Sequence, residues 1–107
     1  MFKFLNSLFG SNNGNETLKN IMKDGAYLVD VRTPSEFASG HVKGSVNIPL
    51  NVIQNKVSSL KSKKHIVVFC RSGARSAQAK AILERNGLKN IYNGGTWQKV
   101  NKLKNEP

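Results

Sequence analysis

Apolar positions along this chain fall into two kinds of run, short and continuous or longer and spaced by three and four. Ala26-Tyr27-Leu28-Val29-Asp30-Val31 is continuous, and so are Ser45-Val46-Asn47-Ile48, closed by Pro49, and His65-Ile66-Val67-Val68-Phe69. These predict buried strands, the third most clearly because it is β-branched and aromatic throughout. Asn90-Ile91-Tyr92 predicts another strand and Gly94-Gly95 a turn. Between them lie helical patterns. Asn15 reads as an N-cap, followed by Glu16 in the first turn and by Leu18, Ile21 and Met22 at helical spacing. Thr33 caps a short helix with Pro34 at its first position, Glu36 three residues past the cap and Gly40 as its stop. Asn51 to Leu60 predicts a helix running into the basic turn Lys61 to Lys64. A further helix ends at Asn86-Gly87 with Ala79, Ile82 and Leu83 on one face, and Thr96 to Lys104 forms the last. Strands alternating with helices imply parallel crossovers, hence an α/β chain built as a three-layer α/β/α sandwich around a central, mostly parallel sheet.

The first ten residues, MFKFLNSLFG, carry Phe2, Phe4, Leu5, Leu8 and Phe9, with Asn6 and Ser7 breaking the apolar stretch. No small-residue cleavage site follows, so the segment reads as a tail that packs loosely rather than as a signal peptide. Ser11 to Asn15 then reads as a flexible linker. No apolar run approaches the length of about 20 residues that a membrane-spanning helix needs.

With 107 residues, 38% hydrophobic and 21% charged, the chain is one globular domain rather than a disordered or fibrous one. Its single cysteine excludes an internal disulfide, a CxxC redox pair and a thiolate metal cage. A reducing, cytoplasmic setting is the expectation. Seventeen Lys and Arg against six Asp and Glu give a net charge of +11, a field that attracts anions. No nucleic-acid motif interleaves these cations with aromatic residues, so the expected partners are small anions rather than nucleic acid.

Ligands of open α/β sheets bind where strands end and helices begin. Cys70 sits at such a point, between the clearest strand and a helix, in the loop Cys70-Arg71-Ser72-Gly73-Ala74-Arg75-Ser76. Gly73 allows successive backbone amides to turn inward, and the following helix offers its positive end. Such a ring, flanked by Arg71 and Arg75, favours a thiolate and makes Cys70 a nucleophile. A lone cysteine is more often a small core residue. Two arginines and a glycine beside it are hard to explain as core.

Three segments resemble the motifs of rhodanese-type sulfurtransferases. They are Val29-Asp30-Val31-Arg32-Thr33-Pro34-Ser35-Glu36-Phe37 running on through Gly40-His41 to Pro49, the Cys70–Ser76 loop, and Gly87-Leu88 through Asn93-Gly94-Gly95-Thr96-Trp97. The likeness leaves residues 1–14 as an N-terminal tail and linker and residues 15–107 as a rhodanese-like domain. It implies a two-step transfer in which Cys70 takes the sulfane sulfur of thiosulfate or a related anion as a persulfide. Cyanide or a thiol, free or on a sulfur-accepting protein, then removes it. Splitting the transfer at a covalent intermediate suits a nucleophile held in an anion site. Arg71, Ser72, Gly73, Ala74, Arg75 and Ser76 would bind the donor, and neither a metal nor an organic cofactor is expected.

The remaining matched residues carry weaker expectations. Asp30, Arg32 and Glu36 read as an ion-pair network supporting the cleft. His41 reads as structural, since a thiolate held by the loop needs no general base. His65, after three lysines within four residues, reads as surface, and Trp97 as a core anchor.

The nearest enzymatic rival is a cysteine phosphatase or arsenate reductase, whose loop holds five residues between cysteine and arginine. Here four separate Cys70 from Arg75, a smaller ring that suits a sulfur atom better than a tetrahedral phosphate. Rivals of other classes are a non-catalytic adaptor, against which the intact Cys70 argues, and a persulfide carrier serving a partner protein.

Overall fold

A computed structural model describes residues 10–107, with side chains from residue 14 onward. The Phe-rich tail, residues 1–9, lies outside the described residues. Four strands, β1 (Tyr27–Asp30), β2 (Val46–Asn47), β3 (Ile66–Cys70) and β4 (Ile91–Thr96), form one sheet in the order β2-β1-β3-β4. Every neighbouring pair is parallel, with Val29 opposite Val46 and Val68. The helices are α1 (Gly10–Lys23), α2 (Pro34–Ala38), α3 (Val57–Leu60), α4 (Ala74–Arg85) and α5 (Trp97–Lys104).

The alternation of β3 divides the core. Ile66, Val68 and Cys70 join Ile53, Val57, Leu60, Ala79 and Leu83 on the face covered by α3 and α4. Val67 and Phe69 join Leu18, Ile21, Val100 and Leu103 on the face covered by α1 and α5. All five β3 residues are buried, the signature of a central parallel strand sandwiched between helix layers. The three-layer sandwich is therefore present, with a sheet parallel throughout.

Three elements depart from expectation. Helix α1 begins at Gly10, so Ser11 to Asn15 is helical rather than a flexible linker, and Asn15 lies inside the helix rather than at its cap. Once Leu18 and Ile21 anchor the helix, each residue added upstream gains a hydrogen bond, and no proline interrupts it. Residues Leu50–Lys56 form a 3₁₀ helix before the single α-turn of α3. Leu50 and Ile53 are three apart, the spacing that a 3₁₀ turn stacks on one side. Gly94 and Gly95, expected as a turn, lie within β4. Gly94 is the extra residue of a bulge between the Val68–Asn93 and Phe69–Gly95 pairs. A Cβ on Gly94 would stand 2.7 Å from a Val100 methyl and 2.9 Å from a Val67 methyl. Its absence lets α5 lie close against the sheet.

Candidate functional site

Cys70 is the last residue of β3, and strand alternation turns its side chain toward α4. The chain must then reverse within three residues to enter α4. It does so at Gly73, the N-cap, whose φ of +98° is a left-handed conformation that costs glycine little. This turn aims the Gly73 amide back at the sulfur, donating to Cys70 Sγ at 3.0 Å. One turn further on, the buried Ser76 places its hydroxyl 3.6 Å from the same atom. Burial raises the tendency of Cys70 to keep its proton. The Ser76 hydroxyl and the amides of Ser76, Gly73 and Ser72 outweigh it, holding the thiol below its ordinary ionisation range.

The loop residues expected to bind an anion are brought together, but the two arginines differ. Arg75 spans to α2, where Nη1 and Nη2 donate to the two carboxylate oxygens of Glu36 at 2.7 and 3.0 Å. Arg71 is exposed and has no ion-pair or hydrogen-bond partner among the described residues. Support for a thiolate comes from the expected amides and, when its proton turns to the sulfur, from the Ser76 hydroxyl, with little from the flanking arginines. Arg75 feels the sulfur's charge only as a lesser influence behind Glu36. Ser72 and Ala74 are exposed at the rim, with Ser72 Oγ accepting weakly from the Ala74 amide at 3.5 Å.

The expected network of Asp30, Arg32 and Glu36 is instead two separate pairs. Asp30 is fully buried, and its carboxylate accepts from Arg32 Nε at 2.9 and 3.0 Å and from Nη2 at 2.7 Å. The Arg32 guanidinium also donates to the Gly40 carbonyl at 2.7 Å and lies 4.7 Å over the Trp97 ring. It thereby joins the end of β1 to the end of α2 and the start of α5, a satisfied buried pair of the structural kind. Asn47 adds hydrogen bonds to the carbonyls of Asp30 and Arg32 at 3.0 and 2.9 Å. Glu36 belongs to the other pair and also closes the capping box of α2, accepting from the Thr33 amide at 3.0 Å. Arg75 first and the Thr33 amide second hold its carboxyl down at about 2.

His41 stacks on Phe37 at 3.8 Å and shares a hydrogen bond with the Phe37 carbonyl at 2.9 Å, which is a structural role. His65 is half-buried rather than a surface residue. Its Nε2 lies 3.6 Å from Asp24, and its Nδ1 is enclosed without a partner. Trp97 packs against the α1/α5 core cluster, as an anchor should.

One residue at the loop escaped the sequence reading. Asn93, in β4, donates from Nδ2 to the Gly73 carbonyl at 3.2 Å. Its Oδ1 accepts from Ser76 Oγ at 2.7 Å and from the Gly95 amide at 2.9 Å. It stands next to the glycine pair, but nothing in a lone polar residue on a short strand marks it as a neighbour of Cys70.

A mostly apolar groove of about 430 Å³ lies at the carboxyl ends of β1 and β2, walled by Val31, Pro34, Pro49 and Leu50 and edged by Arg75. A hollow of about 530 Å³ at the amino ends of β3 and β4 is lined by Lys61, Lys63, Lys64 and Lys89, with no cysteine, serine or threonine in its wall. No helix among the described residues is long and apolar enough to cross a membrane.

The family description "Rhodanese-like domain" matches residues 14–99. The chain is 38% identical over 68 residues to the uncharacterized protein YqhL of Bacillus subtilis, covering 64% of this chain and 54% of that one. It is 35% identical over 69 residues to the thiosulfate sulfurtransferase PspE of Escherichia coli, covering 63% and 66%. The chain thus spans between half and two thirds of the length of these two relatives. A solved structure described as a rhodanese with anions from E. coli superposes with a TM-score of 0.64 at 31% identity, covering 70% of this chain and 91% of that one. The chain belongs to the rhodanese-like domain family.

Proposed function

We propose that this chain is a sulfurtransferase that moves sulfane sulfur through a persulfide on Cys70. The observation that carries the reading is the Gly73 amide donating to Sγ at 3.0 Å, with the Ser76 hydroxyl beside it, in a turn built to hold an anion. The Cys70 thiolate attacks the outer sulfur of thiosulfate or a related donor. A new S–S bond forms, the old one breaks, and its electron pair departs with sulfite. In the second step the carbon of cyanide, or the sulfur of a thiolate, attacks the outer persulfide sulfur and returns the Cys70 thiolate.

Arg71, exposed and unpaired among the described residues, meets the incoming anion, while Arg75 is held by Glu36 and shapes the loop. Asp30 and Arg32 support the scaffold rather than the reaction. The lone cysteine, with no second thiol on the chain to pair with it in a disulfide, suits a reducing, cytoplasmic compartment. If the acceptor is a protein, the same persulfide makes the chain a carrier, and only the acceptor distinguishes the two.

The test is mass spectrometry of the reduced protein after thiosulfate treatment. A gain of about 32 Da on Cys70, discharged by cyanide and absent from Cys70→Ser, is the expected result of covalent uptake. An unmodified Cys70 overturns the reading.

A further inference from the structure

The hydrogen bonds around Ser76 hold more acceptors than protons. The Gly95 amide donates to Asn93 Oδ1 at 2.9 Å, which identifies that atom as the amide oxygen, and Asn93 Nδ2 donates to Gly73 in agreement. An amide oxygen carries no proton, so the 2.7 Å contact between Ser76 Oγ and Asn93 Oδ1 uses the hydroxyl proton of Ser76. A serine has only one. The Gly73 carbonyl at 3.1 Å and Cys70 Sγ at 3.6 Å stand within reach of the same proton. While it points at Asn93, Ser76 offers the sulfur only lone pairs, so the sulfur contact is that of a neutral thiol donating S–H to Oγ. A thiolate has nothing to donate. For Ser76 to support it, the hydroxyl must swing from Asn93 to the sulfur, leaving two oxygens facing each other without a proton between them.

We propose that Asn93 is a positioning residue for the Cys70 sulfur: it competes with that sulfur for the single proton of Ser76 and sets how firmly the hydroxyl supports the anion. The inference rests on the reading that the Cys70 anion is the reacting species. Its chemical consequence is moderation. A thiolate stabilised too strongly loses nucleophilicity as its proton affinity falls, and the competing carboxamide holds part of the stabilisation back. Asn93 meanwhile pins the Gly73 carbonyl, so the Gly73 amide stays on the sulfur whichever way the hydroxyl turns. The charged groups around this cluster are Arg75 and Lys80 on α4, Glu36 on α2, Asp30 on β1 and Lys99 on α5, with the exposed Arg71 on the same loop. None of them makes a hydrogen bond to Ser76 or Asn93 among the described residues, so the competition is local.

Because the chain has one cysteine, the ultraviolet absorbance of its thiolate can be titrated against pH with Cys70→Ser as the blank. Asn93→Ala removes the 2.7 Å acceptor, leaves the Ser76 proton to the sulfur and the Gly73 carbonyl, and should lower the titration midpoint by up to about 0.5 to 1, the effect of one hydrogen bond. Asn93→Asp, a stronger acceptor that also repels the anion, should raise it. In a Ser76→Ala background, Asn93→Ala should leave the midpoint where Ser76→Ala alone puts it. A midpoint that Asn93→Ala raises or leaves unmoved, or an equal shift with and without Ser76, overturns the proposal and reduces Asn93 to a prop for the loop. Should Ser76→Ala not fold, the opposed signs of the two Asn93 variants still decide it. The titration reads ionisation alone, so it can fail while thiosulfate still loads Cys70, and it can succeed on a protein that takes up no sulfur.

Discussion

Arg75 and Glu36 tie the first turn of α4 to the first turn of α2 through two parallel hydrogen bonds, at 2.7 and 3.0 Å. The pair is bidentate and half-buried, the geometry in which an ion pair contributes measurably. It also takes one of the two arginines of the Cys70–Ser76 loop out of circulation as a free cation.

Removing the charge of Glu36 should therefore show itself as a pH-dependent loss of stability. The folded carboxyl sits at about 2 against an ordinary value of 4.5, lowered first by Arg75 and then by the Thr33 amide. A depressed carboxyl stabilises fully above its unfolded value and loses that contribution as pH falls through the folded one. Glu36→Gln keeps the capping-box geometry but not the charge. It should cost about 1 kcal/mol near neutrality, allowing for the partial exposure of the pair. Denaturant titrations of both proteins should converge as pH drops from 4.5 toward 2. A gap that stays constant down to acid would mean the pair contributes nothing.

The two arginines should separate kinetically. Arg71→Ala is expected to lower kcat/KM for thiosulfate about three- to tenfold, to flatten its dependence on added salt, and to leave kcat almost unchanged, because an exposed cation steers and orients an anion through a screened field. Arg75→Ala should instead lower stability and disturb kcat. If Arg71→Ala behaves as the parent at every ionic strength, the +11 charge serves solubility and not donor capture.

Ring size can be tested by inserting one glycine after Gly73. The donors on the sulfur belong to a turn of fixed length, and an amide must lie within about 3 Å of the charge it stabilises. The insertion should cut sulfur transfer sharply while the helix N-terminus and Arg75 persist, and the wider ring should take phosphate or arsenate more readily. Parent-level transfer by a folded insertion variant would remove loop length as the reason for preferring sulfur transfer over phosphate or arsenate chemistry.

Gly94→Ala should destabilise the protein by about 1–3 kcal/mol, as overpacking of a close contact does. The added methyl meets the side chains of Val100 and Val67 at 2.7 and 2.9 Å, and both valines are fully buried. Unfolding by denaturant reads this directly. Unchanged stability would show that α5 yields without cost.

Much of this was legible beforehand because it is local. The β3 run, the Thr33-Pro34-Glu36 capping signature and the Gly73 turn each act within a few residues, and local chemistry decides them. What escaped depends on partners distant in sequence. Glu36 meets Arg75 across 39 positions, so its expected partnership with Asp30 and Arg32 could not be checked from spacing. Gly94-Gly95 reads as a turn on composition, yet the residues that demand glycine there are Val67 and Val100 on neighbouring elements. The polar stretch Ser11 to Asn15 looks like linker because intrinsic preference disfavours helix, and anchoring by Leu18 and Ile21 overrides it. Asn93 is the clearest case, since its importance exists only once β4 lies beside the Cys70 loop.

Cys70 has no exposed surface, although it ends a strand at an open loop. A lowered hold on its proton and a lack of exposed surface oppose each other in what they invite. An acidic thiol ordinarily draws peroxide and glutathione, and ends as a sulfinic acid or a mixed disulfide. A mixed disulfide needs a second Cβ within about 4 Å of the first, and a Cys70 without exposed surface admits one only if the loop opens. Enclosure thus acts as a filter on size: a bulky thiol reaches the sulfur only by displacing the loop, whereas a single sulfur added to it moves the reacting atom about 2 Å beyond Sγ.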